Sequence, residues 1–116
     1  MKVLVLEGNP EVRSSLVDLL ILGVGGCEVR AEGEKLPAPL TDILGEFQPE
    51  LVLMSWRDFR QTTLARIKEC TPTVPVWVFS GYPREKDARQ AKGAAAIFEK
   101  GDYWETAKLV RAISSM

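Results

Sequence analysis

The sequence has no histidine in its 116 residues, which excludes a Ser-His-Asp or Cys-His nucleophile system, a histidine metal ligand and a histidine phosphocarrier together. It has only two cysteines, Cys27 and Cys70, with no partner at metal-binding spacing. They are expected as buried free thiols, not as a disulfide or a metal site. Long apolar runs are missing as well: Leu19-Leu20-Ile21-Leu22 and Val76-Trp77-Val78-Phe79 fall far short of the roughly 20 residues that span a bilayer, so no membrane association is expected. Met1-Lys2 leads directly into Val3-Leu4-Val5-Leu6-Glu7 without the apolar stretch of a secretory signal, and the expected location is the cytoplasm.

What is present is ordinary globular material, 46% apolar and 27% charged, and the length fits one domain over residues 1–116. The net charge of −1 is divided unevenly. Residues 1–58 hold ten acids and five bases, whereas residues 59–116 hold six acids and ten bases. The basic half, with Tyr82, Tyr103 and Trp104, invites a nucleic-acid reading, but a pI near 5.5 and the interleaved acids Glu85, Asp87 and Glu105 weigh against it.

Four apolar runs read as strands covered on both faces: Val3 to Leu6, Leu51 to Met54, Val74 to Phe79 and Ala94 to Phe98. The alternating Cys27-Glu28-Val29-Arg30-Ala31 reads as an edge strand. Helical patterns lie between them. Asn9-Pro10-Glu11 is an N-cap, a first-turn proline and a first-turn acid, followed by the stripe Val12, Leu16, Leu19 and Leu20. Leu40, Ile43, Leu44 and Phe47 mark a second helix, Leu64 and Ile67 the inward side of a third over residues 60–70, and residues 84–92 a short fourth ending at Gly93. A fifth opens at Asp102 with Glu105 at N3 and places Tyr103, Ala107 and Val110 on one face. Gly23 to Gly26 is a turn, not a phosphate loop, because it follows a helix and lacks the trailing Lys-Ser/Thr; Gly33 to Pro39 reads as an irregular loop.

Strand and helix alternating five times indicate an α/β fold with a doubly wound, five-stranded parallel sheet, and the single amphipathic edge strand favours the order 2-1-3-4-5. Ligands of such sheets bind outside the carboxyl ends of the strands. The residues at those ends are Glu7, Ser55, Ser80 and, just past the last strand, Lys100.

The same positions carry a resemblance. Lys2-Val3-Leu4-Val5-Leu6-Glu7-Gly8-Asn9-Pro10-Glu11 resembles the opening strand and acidic pair of a response-regulator receiver domain, and Pro49-Glu50-Leu51-Val52-Leu53-Met54-Ser55-Trp56 its phosphoacceptor strand. Val74-Pro75-Val76-Trp77-Val78-Phe79-Ser80-Gly81 resembles the strand ending in a switch Ser/Thr, and Phe98-Glu99-Lys100 the one ending in the family's lysine. The resemblance covers essentially the whole chain and implies a flavodoxin/CheY-like fold. It also exposes departures. Active receivers hold Mg²⁺ with two acids after the first strand plus the acceptor aspartate, and here those positions read Glu7, Gly8 and Ser55. An alcohol cannot form the high-energy acyl phosphate, so the resemblance implies a degenerate receiver with no catalytic residue, metal or cofactor. The interval from Ser55 to Ser80 is several residues shorter than the family's, with Asp58 and Phe59 in the loop where the family usually has Met-Pro.

The expected role is a phosphorylation-independent protein–protein interaction module in two-component signalling. The first alternative is a phosphorylatable receiver that uses Asp58 or Glu7, although Asp58, three residues past Ser55, is expected to point away from the strand ends. The second is a small enzyme built on a Ser-Lys pair from Ser55 or Ser80 with Lys100; a Glu7–Lys100 ion pair, expected across the mouth of the site, would hold that lysine charged. Trp56 and Trp104 read as packing or interface aromatics. The partner surface, for another protein or a second copy, is expected on the helix over residues 84–92, the fifth strand and the fifth helix. It would comprise Arg84, Lys86, Arg89, Lys92, Ile97, Tyr103, Trp104, Lys108 and Arg111, with Ile97 at the place of the family's switch aromatic.

Overall fold

The apolar runs become the inner strands of one parallel sheet. The computed structural model describes residues 1–80, 91–99 and 103–116, with the backbone alone at 99 and 103–106. Its strands are β1 (Lys2–Leu6), β2 (Glu28–Glu32), β3 (Leu51–Ser55), β4 (Val76–Ser80) and β5 (Ala96–Glu99), joined in the order β2-β1-β3-β4-β5 with every pairing parallel. The described helices are α1 (Pro10–Gly23), α2 (Leu40–Phe47), α3 (Gln61–Cys70) and α4 (Tyr103–Ser114). The α/β class, the doubly wound sheet and the strand order are those expected from the sequence. The short helix anticipated over 84–92 lies almost wholly outside the described residues; Ala91 and Lys92, at its end, are not helical.

Side chains alternate across the sheet and build two cores. Leu4, Leu6, Val52, Met54, Val76 and Val78 meet Leu40, Ile43 and Leu44 of α2 and Leu64 and Ile67 of α3. On the other face Val3, Val5, Leu51, Leu53, Trp77 and Phe79 meet Leu16 and Leu20 of α1 and Leu109 and Ile113 of α4. Each fully buried Leu, Ile or Met in these layers contributes about 1.5–3 kcal/mol, so two-sided burial is what holds β3 and β4 at the centre.

Several local expectations are corrected. β4 begins at Val76 instead of Val74 because Pro75 has no N–H for the ladder, although its carbonyl still accepts from Val52 N at 3.1 Å. β5 begins at Ala96, after a turn in which Ala94 N bonds to Ala91 O. It is an edge strand, not one covered on both faces: Ile97 lies on the same face as Val78 yet is 42% exposed. In α4 the buried positions are Leu109 and Ile113, with Ala107 and Val110 half-buried, because α4 leans on α1, where Val110 packs against Gly23. The cysteines are free, but neither is buried: Cys27 is half-buried and Cys70 exposed at the end of α3.

The start of α1 positions the site below. Asn9 caps it as its sequence dictates, its side chain accepting from Glu11 N at 2.9 Å and Val12 N at 3.2 Å. Arg13, one turn on, passes back over Gly33 and donates from Nη1 to the Glu7 carbonyl at 2.9 Å. The loop after β1 is thereby tied to both neighbours.

Candidate functional site

Three polar side chains are buried at the carboxyl ends of the central strands, one from each: Glu7 after β1 at 1% exposure, Ser55 ending β3 at 0% and Ser80 ending β4 at 3%. They occupy these places because each terminates an apolar run that the sheet must bury, and the register aligns Leu6 with Met54 and Ser55 with Phe79. Lys100, the fourth member anticipated there, lies outside the described residues, and with it the expected Glu7–Lys100 ion pair.

Asp58 joins the three buried side chains instead. The chain leaves β3 in a single tight turn, Phe59 N bonding to Ser55 O at 2.9 Å, so Asp58 is carried back over the strand end. Its Oδ2 accepts from Ser55 Oγ at 3.1 Å and from the Gly8 backbone N–H at 3.0 Å. This corrects the expectation that Asp58 points away, and Phe59 gives the reason. Its ring is buried at 6% exposure beside Trp56 at 3%, and anchoring both aromatics in the core with only two residues between them forces the return. Trp56 is therefore a packing residue, with the Arg60 guanidinium 5.1 Å from its ring centre and donating to its carbonyl at 3.3 Å.

Gly8 and Asp58 fit as a pair. A Cβ placed on Gly8 would stand 2.7 Å from Asp58 Cγ and 2.8 Å from Oδ1, closer than carbon atoms tolerate. The missing side chain at residue 8 is thus the room that the Asp58 carboxylate fills. Sequence reading saw the missing acid at Gly8 and the stray acid at Asp58 without joining them; the signal that could have joined them is the i, i+3 spacing of Ser55 and Asp58 ahead of an apolar Phe59.

Active receivers hold Mg²⁺ at the strand ends, and the residues at these positions do not fit it. Those receivers supply three acids to this hard cation, but here Gly8 directs an N–H donor into the site and Ser55 offers a hydroxyl where a carboxylate is required. Besides Glu7, the one carboxylate that the described residues bring there is Asp58, whose Oδ2 is engaged by those two donors. Among the described residues no three His, Cys, Asp or Glu side chains form a metal-holding group.

Of the expected partner surface, Arg84, Lys86 and Arg89 lie outside the described residues, as do the side chains of Tyr103 and Trp104. Lys92, Ile97, Lys108 and Arg111 are exposed, the last two on α4. Among the described residues no helix is long and apolar enough to cross a membrane.

No protein-family model matches the sequence, and no curated protein matches it. Solved structures do match in fold. The signal receiver domain of a DNA-binding response regulator from Colwellia psychrerythraea 34H superposes with a TM-score of 0.80 at 17% identity, covering 100% of this chain and 99% of that one. HP1043, an orphan response regulator of H. pylori, gives 0.79 at 21% identity over 99% of this chain and 94% of that one. An atypical orphan response regulator, described as revealing a phosphorylation-independent regulatory mechanism, gives 0.76 at 22% identity over 99% and 93%. The chain has the receiver-domain fold.

Proposed function

We propose that this chain is a degenerate receiver domain that works as a phosphorylation-independent protein–protein interaction module in two-component signalling, in the cytoplasm and without enzymatic activity. The observation that carries this reading is Ser55 at the carboxyl end of β3: the acceptor position holds an alcohol, fully buried and donating to Asp58. A serine hydroxyl at that position can form only a phosphate ester, not the acyl phosphate that a carboxylate makes. The likeness in fold to an orphan regulator described as phosphorylation-independent supports the reading.

The partner face in this reading is β5, α4 and the basic stretch Arg84, Lys86 and Arg89, with Ile97 as an exposed apolar contact and Lys108 and Arg111 extending the charge. An acidic partner fits it. Reversing charge at Arg84 and Arg89 slows association with such a partner and flattens its salt dependence, while acetyl phosphate with Mg²⁺ leaves association unchanged. Unaltered binding and salt slope in the double variant would place the interface elsewhere.

One observation favours a second reading, in which Asp58 serves as a displaced phosphoacceptor: its carboxylate is at the strand ends. The hydrogen bonds to Oδ2 weigh against it, because they stabilise the carboxylate's charge and lower its nucleophilicity. Intact mass after treatment with a phosphodonor separates the two readings.

A further inference from the structure

We propose that Asp58 is a built-in oxyanion, whose carboxylate takes the donors and the space that an external oxyanion such as phosphate would otherwise occupy at the strand ends. The proposal rests on the phosphorylation-independent reading and names the device that keeps the site silent.

Three features argue for it. The Gly8 N–H and the Ser55 O–H converge on one oxygen, Asp58 Oδ2, at 3.0 and 3.1 Å, the arrangement by which a backbone amide and a hydroxyl hold one oxygen of a carboxylate or phosphate. The volume is committed as well, since any side chain at residue 8 would collide with Asp58 Cγ at 2.7 Å, so the carboxylate and an incoming tetrahedral anion compete for the same place. Finally, the carboxylate belongs to the chain itself and sits one residue before the buried Phe59. The turn from Ser55 to Phe59 fixes the carboxylate in position, which makes it an effectively intramolecular ligand that dilute phosphate cannot displace.

The test is a titration of the ¹⁵N-labelled chain with inorganic phosphate at constant ionic strength, followed at the Gly8 amide. The wild type is expected to stay unmoved. Asp58→Ala and Asp58→Ser, which vacate the space and free both donors, are expected to bind phosphate at least about tenfold more tightly, with Gly8 among the amides that shift most. Asp58→Asn keeps the size and the acceptor oxygen of the native side chain, and is expected to exclude phosphate as the wild type does. A wild type that binds phosphate as tightly as Asp58→Ala, folded Ala and Ser variants that bind none, or an Asn variant that gains as much as Ala would each overturn the proposal. Inorganic phosphate transfers no phosphoryl group, so this result is independent of the phosphodonor experiment on which the proposed function stands.

Discussion

The Asp58 carboxylate fills the space that a side chain on Gly8 would need, and it bonds the Gly8 amide from that position at 3.0 Å. The two residues are fifty positions apart in the chain and form one structural unit. Gly8→Asp, which places an acid where active receivers carry one, therefore forces Asp58 out and sets two carboxylates against each other, destabilising the fold by about 1–3 kcal/mol. Adding Asp58→Ala to Gly8→Asp recovers part of that loss. Urea denaturation of the two single variants and the double gives the coupling, expected at about 0.5–3 kcal/mol for residues in contact; additive losses would show that the two do not interlock.

How much of this was legible in the sequence depended on distance along the chain. Continuous apolar runs such as Val3 to Leu6 and Leu51 to Met54 marked the inner strands, and the alternating Cys27 to Ala31 run marked the edge that fixed the order. Glu7, Ser55 and Ser80 were found at the strand ends because each simply follows its run. Asp58 was missed because its direction is set by a tertiary demand, the burial of Trp56 and Phe59, and not by local spacing. The exposure of Ile97 agrees with its expected place on the partner surface; what the continuous run Ala94 to Phe98 concealed is that apolar composition alone does not cover both faces of a strand at the sheet's edge.

The N-cap at Asn9 accepts from two amides of α1 and starts the helix at the edge of the site. Asn9→Ala is expected to cost about 1 kcal/mol, read as a lower urea midpoint with unchanged slope. A loss below a few tenths would mean that Pro10 and Glu11 start the helix without the cap.

Ile97 and Val78 are paired neighbours on one face of the sheet, but one is 42% exposed and the other is fully buried. Ile97→Lys is expected to change stability by no more than about 0.5 kcal/mol, whereas Val78→Lys buries an unpaired charge and prevents folding. Thermal melts distinguish them. A large loss at Ile97 would make it a core residue and remove it from the partner face.

The two thiols differ in environment. Burial pushes the Cys27 thiol above its ordinary value, with the nearby amino terminus drawing it partly back, while Cys70 is exposed at the end of α3. A raised thiol value leaves less thiolate near neutral pH, so iodoacetamide is expected to modify Cys70 first, with the gap narrowing as pH rises through the Cys27 titration. The native fold correspondingly favours the protonated Cys27, a contribution that is present below the unfolded thiol value and lost as pH climbs past the folded one. Peptide mapping after brief alkylation reads the order; faster labelling of Cys27 would contradict its burial.

The central claim is that the strand-end site no longer takes a phosphoryl group, because the acceptor position is Ser55 and Asp58 is held by Ser55 and Gly8. The most direct measurement is the intact mass of the chain after incubation with acetyl phosphate and Mg²⁺. The account predicts an unchanged mass for the wild type. A stoichiometric, Mg²⁺-dependent gain of one phosphoryl group that disappears in Asp58→Asn would contradict it and make Asp58 the acceptor.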